Sequence, residues 1–101
     1  MDDVLTLIKT TSTQDIYGQD IETETSADVI CEKKSIGQKE FFEAGRNGFK
    51  PEYVFKIHSH EYDGEKVVEF DGVRYGVYRT YQPNMDDIEL YVELKGGVYE
   101  S

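Results

Sequence analysis

Two Asp-Gly dipeptides, Asp63-Gly64 and Asp71-Gly72, do most to limit what this chain can fold into. Asp-Gly favours the positive φ angles of a type I′ turn, which joins two antiparallel strands through two residues. Each dipeptide lies between strand-like runs: "EYVFKIHSHEY" (52–62), "EKVVEF" (65–70) and "VRYGVYRTY" (73–81). Along 52–62, period 2 sets Tyr53, Phe55 and Ile57 on one face and Val54, Lys56, His58 and His60 on the other. "QPNMDD" (82–87) reads as a turn. "IELYVELK" (88–95) is the cleanest strand, with Ile88, Leu90, Val92 and Leu94 inward and Glu89, Tyr91 and Glu93 outward. "GGVYES" reads as a fraying tail.

Nearer the N-terminus, "VLTLIKT" (4–10) alternates Val4, Thr6 and Ile8 against Leu5, Leu7 and Lys9, a strand with much of both faces covered. "DVICEKKSI" (28–36) is the next strand. Between them, "TSTQDIYGQDIETETSA" carries Asp15, Asp20, Glu22 and Glu24 with no basic residue, and its apolar side chains are Ile16, Tyr17 and Ile21. Those three are too few to anchor it in a core of its own. The expected fold is therefore mainly β. It is a small antiparallel six-stranded barrel or sandwich, one domain over 1–101, with one short helix (~36–47) and a long acidic loop (~11–27). That acidic segment is either mobile or drawn out as a hairpin leaning outward; segments this long in a small domain are commonly disordered or functional.

The helix interrupts the strands at "SIGQKEFFEAGRNGFKP" (35–51). Ser35 and Gln38 have the spacing of a capping box. On a 3.6-residue period Phe41, Phe42, Ala44 and Gly45 share one face, and Lys39, Glu40, Glu43 and Arg46 share the other. Gly48 is placed to end the helix in a left-handed residue, and Pro51 stops it resuming. So short a helix must dock, and the apolar face is the one expected to do so, as a plug at one end of the barrel or a cover across an open side. Glycine inside a helix costs about 1 kcal/mol against alanine, so "GRNG" (45–48) fits either partial unravelling or plain tolerance.

Twenty-one acidic residues against eleven basic ones give a net charge of −10. A surface of that sign does not grip nucleic acid, because phosphate binding needs cations that release counterions. It is compatible with DNA that slides past without sticking. The single Cys31 cannot form an internal disulfide and alternates with Val29 as a small core-facing side chain. No apolar leader or membrane-length apolar run is present, which points to a protein made, or assembled, in the cytosol.

Two clusters invite chemistry. His58 and His60, with Glu61 and Asp63, have chelating spacing on a strand but no definite third ligand. Tyr75, Tyr78 and Tyr81 interleave with Arg74 and Arg79, as in barrels that stack nucleic-acid bases. Period 2 divides them, however: Tyr75, Val77, Arg79 and Tyr81 fall on one face, Arg74 and Tyr78 on the other. No serine elbow, phosphate loop, zinc spacing or dinucleotide fingerprint is present. No catalytic, cofactor-binding or metal-ligating residue is assigned, and no enzymatic activity is expected.

Segment 33–93 resembles the head–tail adaptor, or head-closure, proteins of long-tailed bacteriophages and prophages. The resemblance rests on "SIGQKEFFEAGRNGFKPEYVFKI" as a strand–helix–Pro–strand core, "YDGEKVVEFDGVRYGVYRTY" as a hairpin and "DDIELYVE" as a final strand. "QDIYGQDIETETSADVICEKKS" fits the family's N-terminal pattern, which extends the resemblance over about 14–95. It implies a structural virion protein, assembled in the host bacterial cytoplasm as a ring of identical copies beneath the portal. Such a ring extends or closes the DNA channel and gives the tail a docking surface. Its partners would be a portal or adaptor protein above, a tail-completion or tail-tube protein below, and double-stranded DNA passing without sequence-specific binding. The resemblance implies no cofactor and no membrane. Long loops of such proteins bridge neighbours or line the channel. The subunit or partner interface is therefore expected at Asp15, Ile16, Tyr17, Gln19, Asp20, Ile21 and Glu22. A neighbour- or channel-facing insertion is expected at Lys39, Glu43, Arg46 and Asn47. A small nucleic-acid-binding barrel of the oligonucleotide-binding kind is the alternative.

Overall fold

In the computed structural model, which describes residues 3–94, the chain runs β1 (Asp3–Gln14), β2 (Asp20–Ser35), α1 (Gln38–Arg46), β3 (Pro51–His58), β4 (Val67–Phe70), β5 (Val73–Tyr81) and β6 (Asp87–Leu94). Lys95 and the tail 96–101 lie outside the described residues. The strands close into an antiparallel barrel in the order β1-β2-β3-β6-β5-β4. β4, β5 and β6 form a meander, and β3 lies beside β6 after the long connection 59–66, which is a Greek key.

Asp71-Gly72 makes the turn that its residues favour. Phe70 pairs with Val73, and the two residues between them have φ of 55° and 80°. Asp63-Gly64 does not join a hairpin, contrary to its reading in sequence. β3 stops at His58, a 3₁₀ turn occupies Ser59–Glu61, and β4 begins only at Val67. The chain must cross from β3 to β4 here, on the far side of β5 and β6, so a tight two-residue turn has no neighbouring strand to serve.

Inside the barrel, Leu5, Leu7, Val29, Cys31, Phe55, Ile57, Val68, Tyr75, Leu90 and Val92 form one buried cluster. Cys31 faces the core as its alternation with Val29 requires. Leu94 continues the inward row of β6 in sequence but is 54 % exposed, because it stands at the strand's end. Aromatic rings fill the end of the barrel near Phe70: Phe55 lies 5.1 Å from Phe70 and Tyr53 5.9 Å from Tyr75. Lys33 follows Val29 and Cys31 on the inward row, and its ammonium lies 4.6 Å from the Tyr53 ring centre and 5.2 Å from that of Phe70. That end is covered by a cation over aromatic faces. The helix does not plug it.

The segment 11–27 takes the hairpin form and not the long loop. β1 and β2 pair continuously from Asp3↔Cys31 to Gln14↔Asp20. β1 pairs with β4 only over Thr6–Ile8, and β2 with β3 only over Glu32–Ser35. From Lys9 to Gln14, about 20 Å of strand, the hairpin continues beyond the barrel as a two-stranded arm.

Gly72 tests the hairpin that closes the meander. A side chain there meets no atom within 4 Å, so Gly72→Ala costs only the left-handed backbone conformation. Urea denaturation is expected to show a loss of about 1–2 kcal/mol.

Candidate interaction surfaces

The arm carries its own local order at the tip. Asp15 Oδ1 accepts hydrogen bonds from the backbone N–H of Tyr17 (2.9 Å) and of Gln19 (3.0 Å), and Gly18 turns the chain at φ 79°. Capping by Asp15 thrusts the two residues after it outward: Ile16 is 90 % and Tyr17 81 % exposed. Gln19 completes the turn, and Asp20, Ile21 and Glu22 open β2, all exposed. The seven residues expected at an interface are thus brought together at the end of one projection. Along the arm, cross-strand pairing puts Lys9, Thr11, Thr13, Ile21, Thr23 and Thr25 on one face and Thr10, Ser12, Gln14, Asp20, Glu22 and Glu24 on the other. One face is β-branched and nearly uncharged, the other acidic. Two ion pairs tie the arm's root to the barrel, Lys9 to Asp63 and Arg74 to Glu24.

The helix docks by one margin of the apolar face expected, the side that carries Ala44 and Glu40, and not by its phenylalanines. Its buried residue is Ala44, while Phe41 and Phe42 are 54 % and 57 % exposed. α1 lies outside the barrel wall, against β3 and, through Glu40, against β5, and the outward residue Val54 of β3 is buried without being part of the interior cluster. The cause is a bulge in β5. Val77 pairs with Val92 but Arg79 pairs with Tyr91, so Tyr78 is an extra residue and the alternation slips by one. Tyr78 and Arg79, placed on opposite faces by period 2, both point outward. Glu40 then accepts hydrogen bonds from Tyr78 Oη (2.8 Å) and from Arg79 Nε (3.3 Å) and Nη2 (2.5 Å). The Arg79 guanidinium lies 3.9 Å from the Tyr91 ring centre, and Tyr78 stacks on Phe49 at 4.8 Å.

These contacts fix the charge states. The Arg79 guanidinium holds the Glu40 carboxyl below its ordinary range. Burial, and then the Glu40 carboxylate, push the Tyr78 phenol far up.

The capping box is not formed: Ser35 ends β2, the cap is Gly37, and no side chain bonds the helix N-terminus. Gly48 behaves as its position suggests. At φ 87° it donates to the Gly45 carbonyl while Phe49 N–H donates to that of Ala44, the paired bonds of a Schellman motif.

Lys39, Glu43, Arg46 and Asn47 are all exposed but do not form one surface. Glu43 and Asn47 border the small cleft under the helix beside Tyr78 and Arg79, with Asn47 Nδ2 donating to the Glu43 carbonyl (3.1 Å). Arg46 faces the other way. It lines an open groove of about 760 Å³ with Phe41, Phe42, Phe49, Lys50 and Pro51. Phe41 and Phe42, which the helical period places on the apolar face, are turned to this groove instead. The signal for that orientation is the small residue Ala44 beside Glu40, where the helix backbone can approach the wall closely.

The remaining candidates do not assemble. His58 and His60 stack, 5.6 Å between ring centres, and no group of three potential metal ligands forms among the described residues. Tyr75 is in the core, Tyr78 under the helix and Tyr81 at the surface, while Arg74 and Arg79 are paired with Glu24 and Glu40. No helix among the described residues is long and apolar enough to cross a membrane. No protein-family model matches the chain, and no curated protein matches it.

The Glu40 contact predicts a pH dependence. Folding lowers the Glu40 pKa, so its contribution is present at neutral pH and is lost as the pH falls below the ordinary value of 4.5 through the depressed one. Glu40→Ala is expected to cost about 1.5–3 kcal/mol at pH 7 and to flatten that part of the acid stability profile, measured by urea denaturation across pH.

Proposed function

We propose that the chain is a structural component of a phage head–tail connector, assembling as a ring of copies beneath the portal or adaptor and offering a surface to the tail. One observation carries this reading beyond the sequence resemblance. A closed barrel projects an arm that has no third strand beside it, since β1 from Lys9 on and β2 as far as Thr25 pair only with each other. An isolated two-stranded ribbon is marginal in water. An arm of this kind has a use where a neighbouring molecule covers it. The net charge of −10 suits a channel wall past which DNA moves freely.

The nucleic-acid-binding alternative gains nothing from the geometry, because its tyrosines are dispersed and its two strand arginines are held by carboxylates.

Light scattering on the protein alone, and then mixed with the products of neighbouring genes, portal and adaptor candidates among them, tests the reading. Passage into a ring-sized complex with those partners is the expected result. Indifference to them, with salt-sensitive binding of single-stranded DNA, would move the assignment to the alternative. Deleting 14–24 leaves Lys9↔Thr25 closed by residues 10–13, so the isolated barrel should melt cooperatively as before while assembly is lost. Unfolding of the deleted protein would make the arm part of the fold.

A further inference from the structure

We infer that the arm tip of one copy seats in the phenylalanine groove of the next, so that the protein associates head to tail. This deepens the ring reading above and rests on it. The tip presents Ile16 and Tyr17 fully outward, flanked by Asp15, Asp20 and Glu22. The groove presents Phe41, Phe42 and Phe49, edged by Arg46 and Lys50, with Glu52 the one carboxylate of its lining. Neither Arg46 nor Lys50 is in an ion pair among the described residues. On a chain of net charge −10, an apolar hollow with a basic edge stands out, and it is complementary to an apolar tip with an acidic collar in polarity and in sign of charge.

The two surfaces cannot meet within one molecule. β2 begins at the tip with Asp20 and ends at Ser35, immediately before the helix that builds the groove. Its sixteen residues span roughly 50 Å of strand, the full 50 Å length of the molecule. Tip and groove therefore stand at opposite ends. A contact between two different patches is heterologous and repeats from copy to copy, closing a ring when the rotation per step allows it.

Mixing two disabled variants tests this directly. The tip variant Ile16→Ser/Tyr17→Ser and the groove variant Phe41→Ser/Phe42→Ser alter exposed side chains, and unchanged circular dichroism and melting establish that each still folds. Sedimentation of the wild type up to millimolar concentration should show concentration-dependent association beyond a dimer, weakened by added salt. Each variant alone should associate at least about tenfold more weakly. Their equimolar mixture should stop at a one-to-one dimer, because each pair retains one working tip and one working groove. A wild type that stays monomeric throughout, variants that associate like it, or a mixture that does not dimerise would each overturn the arm-in-groove contact. The connector reading is separable. If both variants still join a ring on the portal partner as the wild type does, that reading stands and this contact falls. If the wild type associates through tip and groove but ignores the portal, the contact stands without it.

Discussion

Three residue pairs close this barrel: Thr6↔Glu69, Leu7↔Val68 and Ile8↔Val67. The rest of the architecture follows from how short that seam is. Leu7 and Val68, both essentially without exposure, put the seam into the core, so closure is driven by burial as well as by backbone hydrogen bonds. β4 is only Val67–Phe70, so β1 has no partner on that side after Ile8. β1 nevertheless keeps its register with β2 to Gln14. One long hairpin therefore serves two purposes, as barrel wall at its root and as a projection at its tip.

A second consequence concerns the helix. Placed between neighbouring strands β2 and β3, α1 has no interior left to fill, since the sheet closes without it. It can only lie on the outside, where the wall offers Tyr78, Arg79 and Tyr91. A polar, aromatic surface of that kind selects the helix face that carries a carboxylate. Glu40 meets it, Ala44 allows close approach, and the large apolar side chains are turned to solvent. Pairing the half-buried Tyr78 hydroxyl and the Arg79 guanidinium with one carboxylate, through charge-assisted hydrogen bonds worth about 1.5–3 kcal/mol, outweighs hiding two phenylalanines whose rings are already nearly half covered.

The strands were legible because their determinants are local. Val73–Tyr81 begins and ends where the alternation does, and Asp71-Gly72 states its own turn geometry. The helix end at Gly48 was equally local. What escaped depended on pairing across the molecule. The Tyr78 bulge is invisible to period 2, since an extra residue is defined only against a partner strand, here between Val92 and Tyr91. Once the register slips, Arg79 changes face, Glu40 gains its partner, and the helix turns its Glu40 and Ala44 side to the wall. That single unseen residue accounts for the misplaced phenylalanines. The tip residues, by contrast, were readable from composition, because a stretch so poor in apolar side chains cannot be drawn into a core.

An exposed ribbon with two free edges is ordinarily an invitation to pair with any other strand. Here the edge strands carry Asp20, Glu22, Glu24 and Asp28, and no positive charge stands in β2 before Glu32. Two arms brought together by their β2 edges would set these carboxylates against each other, which disfavours that pairing at close range. The same charges leave an approach to Arg46 and Lys50 favourable. The acidic face thus discriminates between two kinds of contact that backbone hydrogen bonding alone would not separate. Thr11 and Thr25 hold the ribbon together meanwhile, each hydroxyl donating to a backbone carbonyl of the opposite strand at 3.4 Å. The ribbon's sides are therefore kept from pairing with other ribbons, and contact is left to its tip.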